Sequence, residues 1–168
     1  KMSKDIDEME KMLNDYLEFS KTQSQEETVK IDITKLLEKI ELNINNKNLT
    51  ITKVDQIFIN GRPNSLRRCF ENVINNGLNY GEKVVINISF SSNLLILTFD
   101  DNGPGIPRDQ FKNVFKPFFR LDKSRSLNKS GVGLGLSIVE DIVNSHGGSI
   151  QLNESKLGGL QVKISLPF

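Results

Sequence analysis

Leu94-Leu95-Ile96-Leu97-Thr98-Phe99-Asp100-Asp101-Asn102-Gly103-Pro104-Gly105 is an alternating strand that runs directly into a glycine loop. Leu95, Leu97 and Phe99 fall on one face at the two-residue period of a pleated strand, so the loop after Asp100 sits at the rim of a sheet. Working back, Ser91-Ser92-Asn93 is a hairpin turn, and Val84, Ile86, Ile88 and Phe90 form the partner strand. Working forward, a second antiparallel pair alternates as Ile150, Leu152 and then Leu160, Val162, Ile164, Leu166. Strands over Thr28–Asp32, near Leu49–Thr52 and near Gln56–Ile59 complete a mixed sheet. The helical patterns are Ile33 to Ile40, Pro63 to about Asn79, and Leu134 to Ser145, with a short helix near Arg108–Phe115. The fold class is α/β, with helices covering one face of the sheet.

The loop offers specific chemistry. A carboxylate at Asp101 can accept a hydrogen bond from an exocyclic amine such as that of adenine, whereas guanine opposes it with a carbonyl. Gly103 and Gly105 let the backbone turn tightly beside a flat ring. On the helix after Pro63, Asn72, Asn76 and Tyr80 recur at i, i+4 and i+8 and share a face. Asparagine is a poor helix former, and an amide oxygen can ligate a hard cation such as Mg2+ without adding charge. The plainer alternative is a solvated polar face, to which Asn75 and Asn79 lend some weight. A third element, Gly131-Val132-Gly133-Leu134-Gly135-Leu136, leads into a helix whose unpaired N–H groups suit a polyphosphate. No Lys-Ser/Thr follows its last glycine and no strand leads immediately into it, which excludes a Walker loop and disfavours a dinucleotide fingerprint.

Between the glycine loops, Lys116 to Lys129 holds five cations and one acid, preceded and interrupted by Phe115, Phe118 and Phe119. That composition fits a lid with aromatic anchors and phosphate-facing cations, or else an ordinary surface loop. The chain as a whole has 168 residues, 37% hydrophobic and 26% charged, and a formal charge of +1. A balanced charge supplies no field for nucleic acid. One cysteine, Cys69, and one histidine, His146, are too few for an intramolecular disulfide or a closed Cys/His zinc site, and a reducing setting is expected. The longest aliphatic run, Leu94–Leu97, is far short of the roughly 20 residues of a membrane span.

The Asn-bearing helix, DxGxG, FxPFxR and GxGLGL, in that order over 72–136, resemble the N, G1, F and G2 boxes of sensor histidine kinases, most closely the EnvZ type of osmosensor. The resemblance covers 28–168 and implies a two-layer α/β sandwich of the Bergerat ATPase type, shared with gyrase, Hsp90 and MutL. It implies ATP and Mg2+ as cofactors and transfer of the γ-phosphate to a histidine. Carried over by position, Asn76 is the metal ligand with Asn72 one turn earlier. Tyr80, Asp101, Gly103, Gly105 and Ile106 line the base, and Phe115, Phe118 and Arg120 match the F box. Gly131, Gly133, Leu134, Gly135 and Leu136 contribute the phosphate loop, and Lys123 and Arg125 are lid contacts to the γ-phosphate. The pattern departs from the family at Asn79, where Lys, Arg or His is usual.

His146, in His-Gly-Gly at a helix end, reads as a helix-terminal residue and not a phospho-acceptor. Related ATPases place a water-activating Glu where this chain has Asn72, and Glu71 points roughly 140° away from Asn76 around the helix. The site is thus expected to hand phosphate to an external nucleophile. Residues 1–21 carry Met2, Ile6, Met9, Leu13 and Tyr16 at heptad spacing, widened by Met12, Leu17 and Phe19. They resemble the second dimerisation helix of the family, followed by a linker over 22–27; a helix packed on its own domain is the alternative. The resemblance further implies an acceptor-histidine helix, a response regulator, a homodimer and a cytoplasmic domain of an inner-membrane sensor. A nucleotide-binding regulatory module and an anti-sigma-type serine kinase are the competing functions.

Overall fold

The structure is a computed structural model, and it describes residues 2–121 and 133–168. In chain order the elements are α1 (Met2–Gln25), β1 (Val29–Asp32), α2 (Ile33–Ile44), β2 (Leu49–Ile51), β3 (Phe58–Gly61), α3 (Pro63–Tyr80), β4 (Val84–Ser91), β5 (Leu94–Asp101), α4 (Gly135–Ser145), β6 (Ser149–Glu154) and β7 (Leu160–Pro167). Five strands form one mixed sheet in the order β2-β4-β5-β7-β6, while β1 and β3 pair separately. Only the β2–β4 pair in the large sheet is parallel.

The period-two pattern of β5 explains its central place. Leu95, Leu97 and Phe99 are buried and lie opposite Phe90, Ile88 and Ile86 of β4 and Leu166, Ile164 and Val162 of β7. Two helices cover that face with 3.6-period stripes: Leu66, Cys69, Phe70, Val73 and Ile74 from α3, and Ile138, Val139, Ile142 and Val143 from α4. Phe70 packs on Phe99, ring centroids 6.0 Å apart. Cys69 is fully buried in this layer, which pushes its thiol pKa up and leaves it inert. Asp32 starts α2 by accepting from the Lys35 N–H, and Asn45 ends it in the left-handed region.

Several boundaries differ from expectation. The short helix near Arg108–Phe115 is two 3-10 turns, Arg108–Gln110 and Asn113–Phe115. Of the expected linker over 22–27, residues 22–25 are helical and continue α1, while 26 and 27 lie between α1 and β1. The heptad seam of α1 also divides. Met12 and Tyr16 pack against the domain core, whereas Met2, Ile6, Met9, Leu13 and Leu17 stay exposed. Asp15 and Glu18 of α1 lie near Arg68 of α3, where they oppose the downward effect of burial on the guanidinium pKa.

The start of α3 is capped from a distance. Gly61-Arg62-Pro63-Asn64 supplies no side-chain cap of its own. Instead Glu26, just past α1, accepts from the Asn64 N–H at 2.7 Å, the Ser65 N–H at 3.0 Å and the Ser65 hydroxyl at 2.9 Å. A carboxylate there satisfies free helix donors and meets the positive end of the helix dipole.

Candidate nucleotide site

Helix α3 and the rim of β5 build a cleft between the helical layer and the sheet. Its walls are Val73, Asn76 and Gly77 from α3, Leu136 from α4, and Val84, Phe99, Asp101, Leu160 and Val162 from the sheet. The cavity they enclose is narrow, about 20 Å³. A larger trough of about 500 Å³ lies elsewhere, among Phe111, Lys112, Phe115, Lys116, Pro117, Glu140 and β6. Of the two, the narrow cleft is the one lined by Asn76 and Asp101.

Asp101 is held rigidly. Its Oδ1 accepts from the Gly103 N–H at 2.8 Å and from the Leu160 N–H at 3.0 Å. Its Oδ2 lies on the side of Gly77, where a Cβ on Gly77 would sit 3.8 Å away. Burial raises the carboxyl pKa, the two backbone N–H groups oppose that, and neighbouring Asp100 adds to the rise. Gly77 is there for space, since a Cβ would stand 2.5 Å from the Val84 side chain. Gly159 performs the same service behind the carboxylate, where a Cβ would fall 2.1 Å from Asp101 Oδ1.

The asparagine stripe divides as its spacing predicts. Asn72 and Asn76 are half-buried, while Asn75 and Asn79 face solvent. Among the described residues Asn72 Nδ2 is buried without an acceptor, which costs roughly 1–3 kcal/mol unless something fills the gap. Asn76 faces the first turn of α4, where a Cβ on Gly135 would come within 3.2 Å of its Nδ2. Among the described residues no three His, Cys, Asp or Glu side chains converge. A divalent cation in this cleft would therefore rest on amide oxygen and on the ligand's own phosphates, which suits Mg2+.

The other expected residues are dispersed. Gly103 meets the backbone of Tyr80, whose side chain is exposed, and Gly105 adopts a positive φ against Gly159. Ile106 and Phe115 pack against the core, with Phe115 lining the larger trough. Phe118 is exposed with φ 64, and its N–H donates to the Gly133 carbonyl at 2.9 Å. Gly133, φ 80, fits there because a Cβ would strike Phe119 O at 2.6 Å. Arg120 is half-buried, and Leu134 is buried just before α4. Lys123, Arg125 and Gly131 lie outside the described residues. Gly77, within α3, and Gly159 and Leu160, legible only as the start of the last hairpin, were not among the residues expected at the cleft.

His146 ends α4 as expected, with added work. Its Nδ1 lies 2.7 Å from the Ile142 carbonyl, and its Nε2 accepts from the Arg62 N–H at 3.0 Å. Nε2 is therefore the unprotonated nitrogen and Nδ1 carries the proton. Burial lowers its pKa, the Ile142 bond opposes this, and Arg62 lowers it further against a raising effect of Glu26.

Residues 61–168 match the family model described as histidine kinase-, DNA gyrase B- and HSP90-like ATPase. The chain belongs to that family. It is 32% identical over 169 residues to the sensor histidine kinase GtrS of Pseudomonas aeruginosa, covering 99% of this chain and 35% of GtrS. Among solved structures it resembles the ATP-binding domain of PrrB from Mycobacterium tuberculosis, with 28% identity, TM-score 0.68, and 83% and 96% of the two chains covered. It likewise resembles the histidine kinase domain of the E. coli osmosensor EnvZ, with 30% identity, TM-score 0.64, and coverage of 85% and 91%. The chain is thus an ATP-binding catalytic domain of the sensor histidine kinase type. The chain spans about a third of the length of GtrS. No helix among the described residues is long and apolar enough to cross a membrane.

Proposed function

We propose that this domain binds Mg2+-ATP in the α3–β5 cleft and transfers the γ-phosphoryl group to a histidine on a separate helix, for onward transfer to a response regulator. The observation that carries the reading is the buried, unpartnered Asn72 Nδ2 one turn from Asn76. A donor left open beside an amide oxygen fits a ligand that brings its own acceptors, as a metal-bound triphosphate does.

Asn76 would hold the cation and Asn72 would donate to a phosphate oxygen. Asp101 Oδ2 would accept from the adenine amine, while Gly103 N–H and Leu160 N–H keep that carboxylate from turning. Gly133, Leu134 and Gly135 would present backbone donors to the phosphates. Gly105, Ile106 and Tyr80 would flank the base, and Gly131, Lys123, Arg125 and the Phe115, Phe118 and Arg120 segment would complete the lid side. Bound ATP supplies the transferable phosphoryl group; the chain's own part is to orient it and neutralise its charge. Position 72 is an amide and not a carboxylate, so water lacks a base there.

The exposed side of α1, Met2 to Leu17, would be the dimerisation face of residues 1–21. The parent would be a membrane-anchored homodimeric sensor of the EnvZ type with this domain on the cytoplasmic side. Labelled ATP, mixed with this chain and a separately prepared acceptor-histidine domain, tests the reading. Acid-labile, alkali-stable label on the acceptor is the expected result; nucleotide binding with no label on the acceptor removes the transferase assignment.

A further inference from the structure

Asn102 stands beside the proposed adenine carboxylate, yet its side chain turns away from the cleft. Its Oδ1 accepts from the Glu82 N–H and from the Lys83 N–H, both at 2.8 Å. Its own N–H donates to the Lys83 carbonyl at 3.3 Å. One residue of the glycine loop thereby grips the turn that joins α3 to β4.

The grip leaves no slack. A Cβ on Gly81 would lie 2.8 Å from the Gly103 nitrogen and 2.9 Å from Asn102 Oδ1. A Cβ on Gly103 would lie 3.1 Å from the carbonyl of Tyr80. The end of α3 and the loop carrying Asp101 are therefore in backbone contact, with the amide of Asn102 as the polar fastening. Those two segments are also adjoining walls of the cleft: Gly77 is one turn from the end of α3, Asp101 is the residue before Asn102, and a Cβ on Gly77 would lie 3.4 Å from the Asp101 Cβ.

We infer that Asn102 is a positioning residue that sets the distance between the α3 wall at Gly77 and the Asp101 carboxylate, and so governs discrimination between adenine and guanine. It touches no base itself. The inference rests on the reading of Asp101 as the adenine acceptor. Without the Asn102 acceptor, the Glu82 and Lys83 N–H groups lose their partner and the turn is free to move off the loop. Asp101 would keep its two backbone donors and its pairing with Val84, but the end of α3 that carries Gly77 would be held less closely against the loop. Discrimination by a hydrogen-bonding site is steep only while its groups are held in place.

Calorimetric titration with Mg2+-ATP and Mg2+-GTP tests this on the chain as it stands, with Asn102→Ala, Asn102→Ser and Asn102→Asp. The unsubstituted chain is expected to prefer ATP. Asn102→Ala is expected to cut that preference about tenfold, equivalent to ~1.4 kcal/mol. Asn102→Ser, with one short acceptor, should fall between, and it carries the test should the alanine variant not fold. Asn102→Asp keeps acceptors for both N–H groups and is expected to restore the preference. An ATP preference that survives in Asn102→Ala or Asn102→Ser, accompanied only by a lower Tm, overturns the inference and leaves Asp101's role intact. Equal ATP and GTP affinities in the unsubstituted chain overturn the reading of Asp101 and this inference with it.

Discussion

At the amino end of α3 a carboxylate from outside the helix, Glu26, takes up the Asn64 and Ser65 N–H groups, and a histidine from α4 takes up the Arg62 N–H. Three turns along, the same helix buries the Nδ2 of Asn72 with no acceptor among the described residues and sets Asn76 and Gly77 against an open cleft. The amino end takes its backbone partners from distant parts of the chain, although among the described residues Arg62 Nε is buried there without one, as Asn72 Nδ2 is farther along. Because α3 and α4 pack along each other with Gly135 near Asn76 and His146 near Gly61, both ends are bridged by the same two helices. The difference separates two roles: the Glu26 and His146 contacts hold the amino end of α3 in the fold, while Asn76 and Gly77 line the cleft proposed for the nucleotide.

Substitutions at the two ends should therefore give opposite phenotypes. The largest effect is expected at the open end. Asn76→Ala should weaken Mg2+-ATP binding about a hundredfold, ~2.7 kcal/mol, with the urea midpoint nearly unchanged; calorimetry and urea titration on one preparation check both. A large fall in stability would show that Asn76 is a structural residue and erase the contrast.

Asp101→Asn comes next, with about a tenfold loss of ATP affinity against GTP, because the amide that replaces Oδ2 presents a donor to a donor. Its stability should not fall. The folded-state pKa of Asp101 is raised, so its favourable contribution exists below the unfolded carboxylate pKa and is lost as pH rises through the folded value. At neutral pH the charge is a cost that asparagine removes, while Oδ1 can still accept from Gly103 and Leu160. A urea midpoint at pH 7 equal to or above that of the unsubstituted chain is the expected reading.

The closed end should show the reverse. Glu26→Ala is expected to cost about 1 kcal/mol of stability, the usual loss of a helix cap, with Mg2+-ATP affinity unaltered. A change in affinity matching that at Asn76 would mean the two ends are coupled. The smallest effect is pH-dependent and belongs to His146, whose folded-state pKa is lowered mainly by burial. Its contribution is present above the unfolded value of about 6.5 and is lost as pH falls through the folded value, since a proton on Nε2 expels the Arg62 N–H. The urea midpoint should drop between pH 7.5 and 5.5, and His146→Gln should flatten that drop.

Local pattern was enough for much of this molecule. The two-residue alternation of Leu95, Leu97 and Phe99 put β5 in a sheet, and the i, i+4 repeat of Asn72 and Asn76 put both amides on one face of α3, because strand and helix periods are properties of the backbone itself. The loop at Asp101 was legible for the same reason, since a strand must end where Gly103 and Gly105 turn it. Other features depend on segments far apart in the chain. Nothing near Pro63 announces that Glu26 will cap α3, and nothing near Asp101 announces that the Leu160 N–H, 59 residues on, will fix its carboxylate. The split of the α1 seam, with Met12 and Tyr16 turned inward and Met9 and Leu13 outward, is equally invisible to periodicity, which finds an apolar stripe but not the surface it meets. Sequence determined the elements and the chemical types at the cleft, because those follow from neighbours along the chain. Only tertiary structure decided which polar groups would be satisfied and which would be left open, because hydrogen-bond partners separated by dozens of residues meet only when the layers pack.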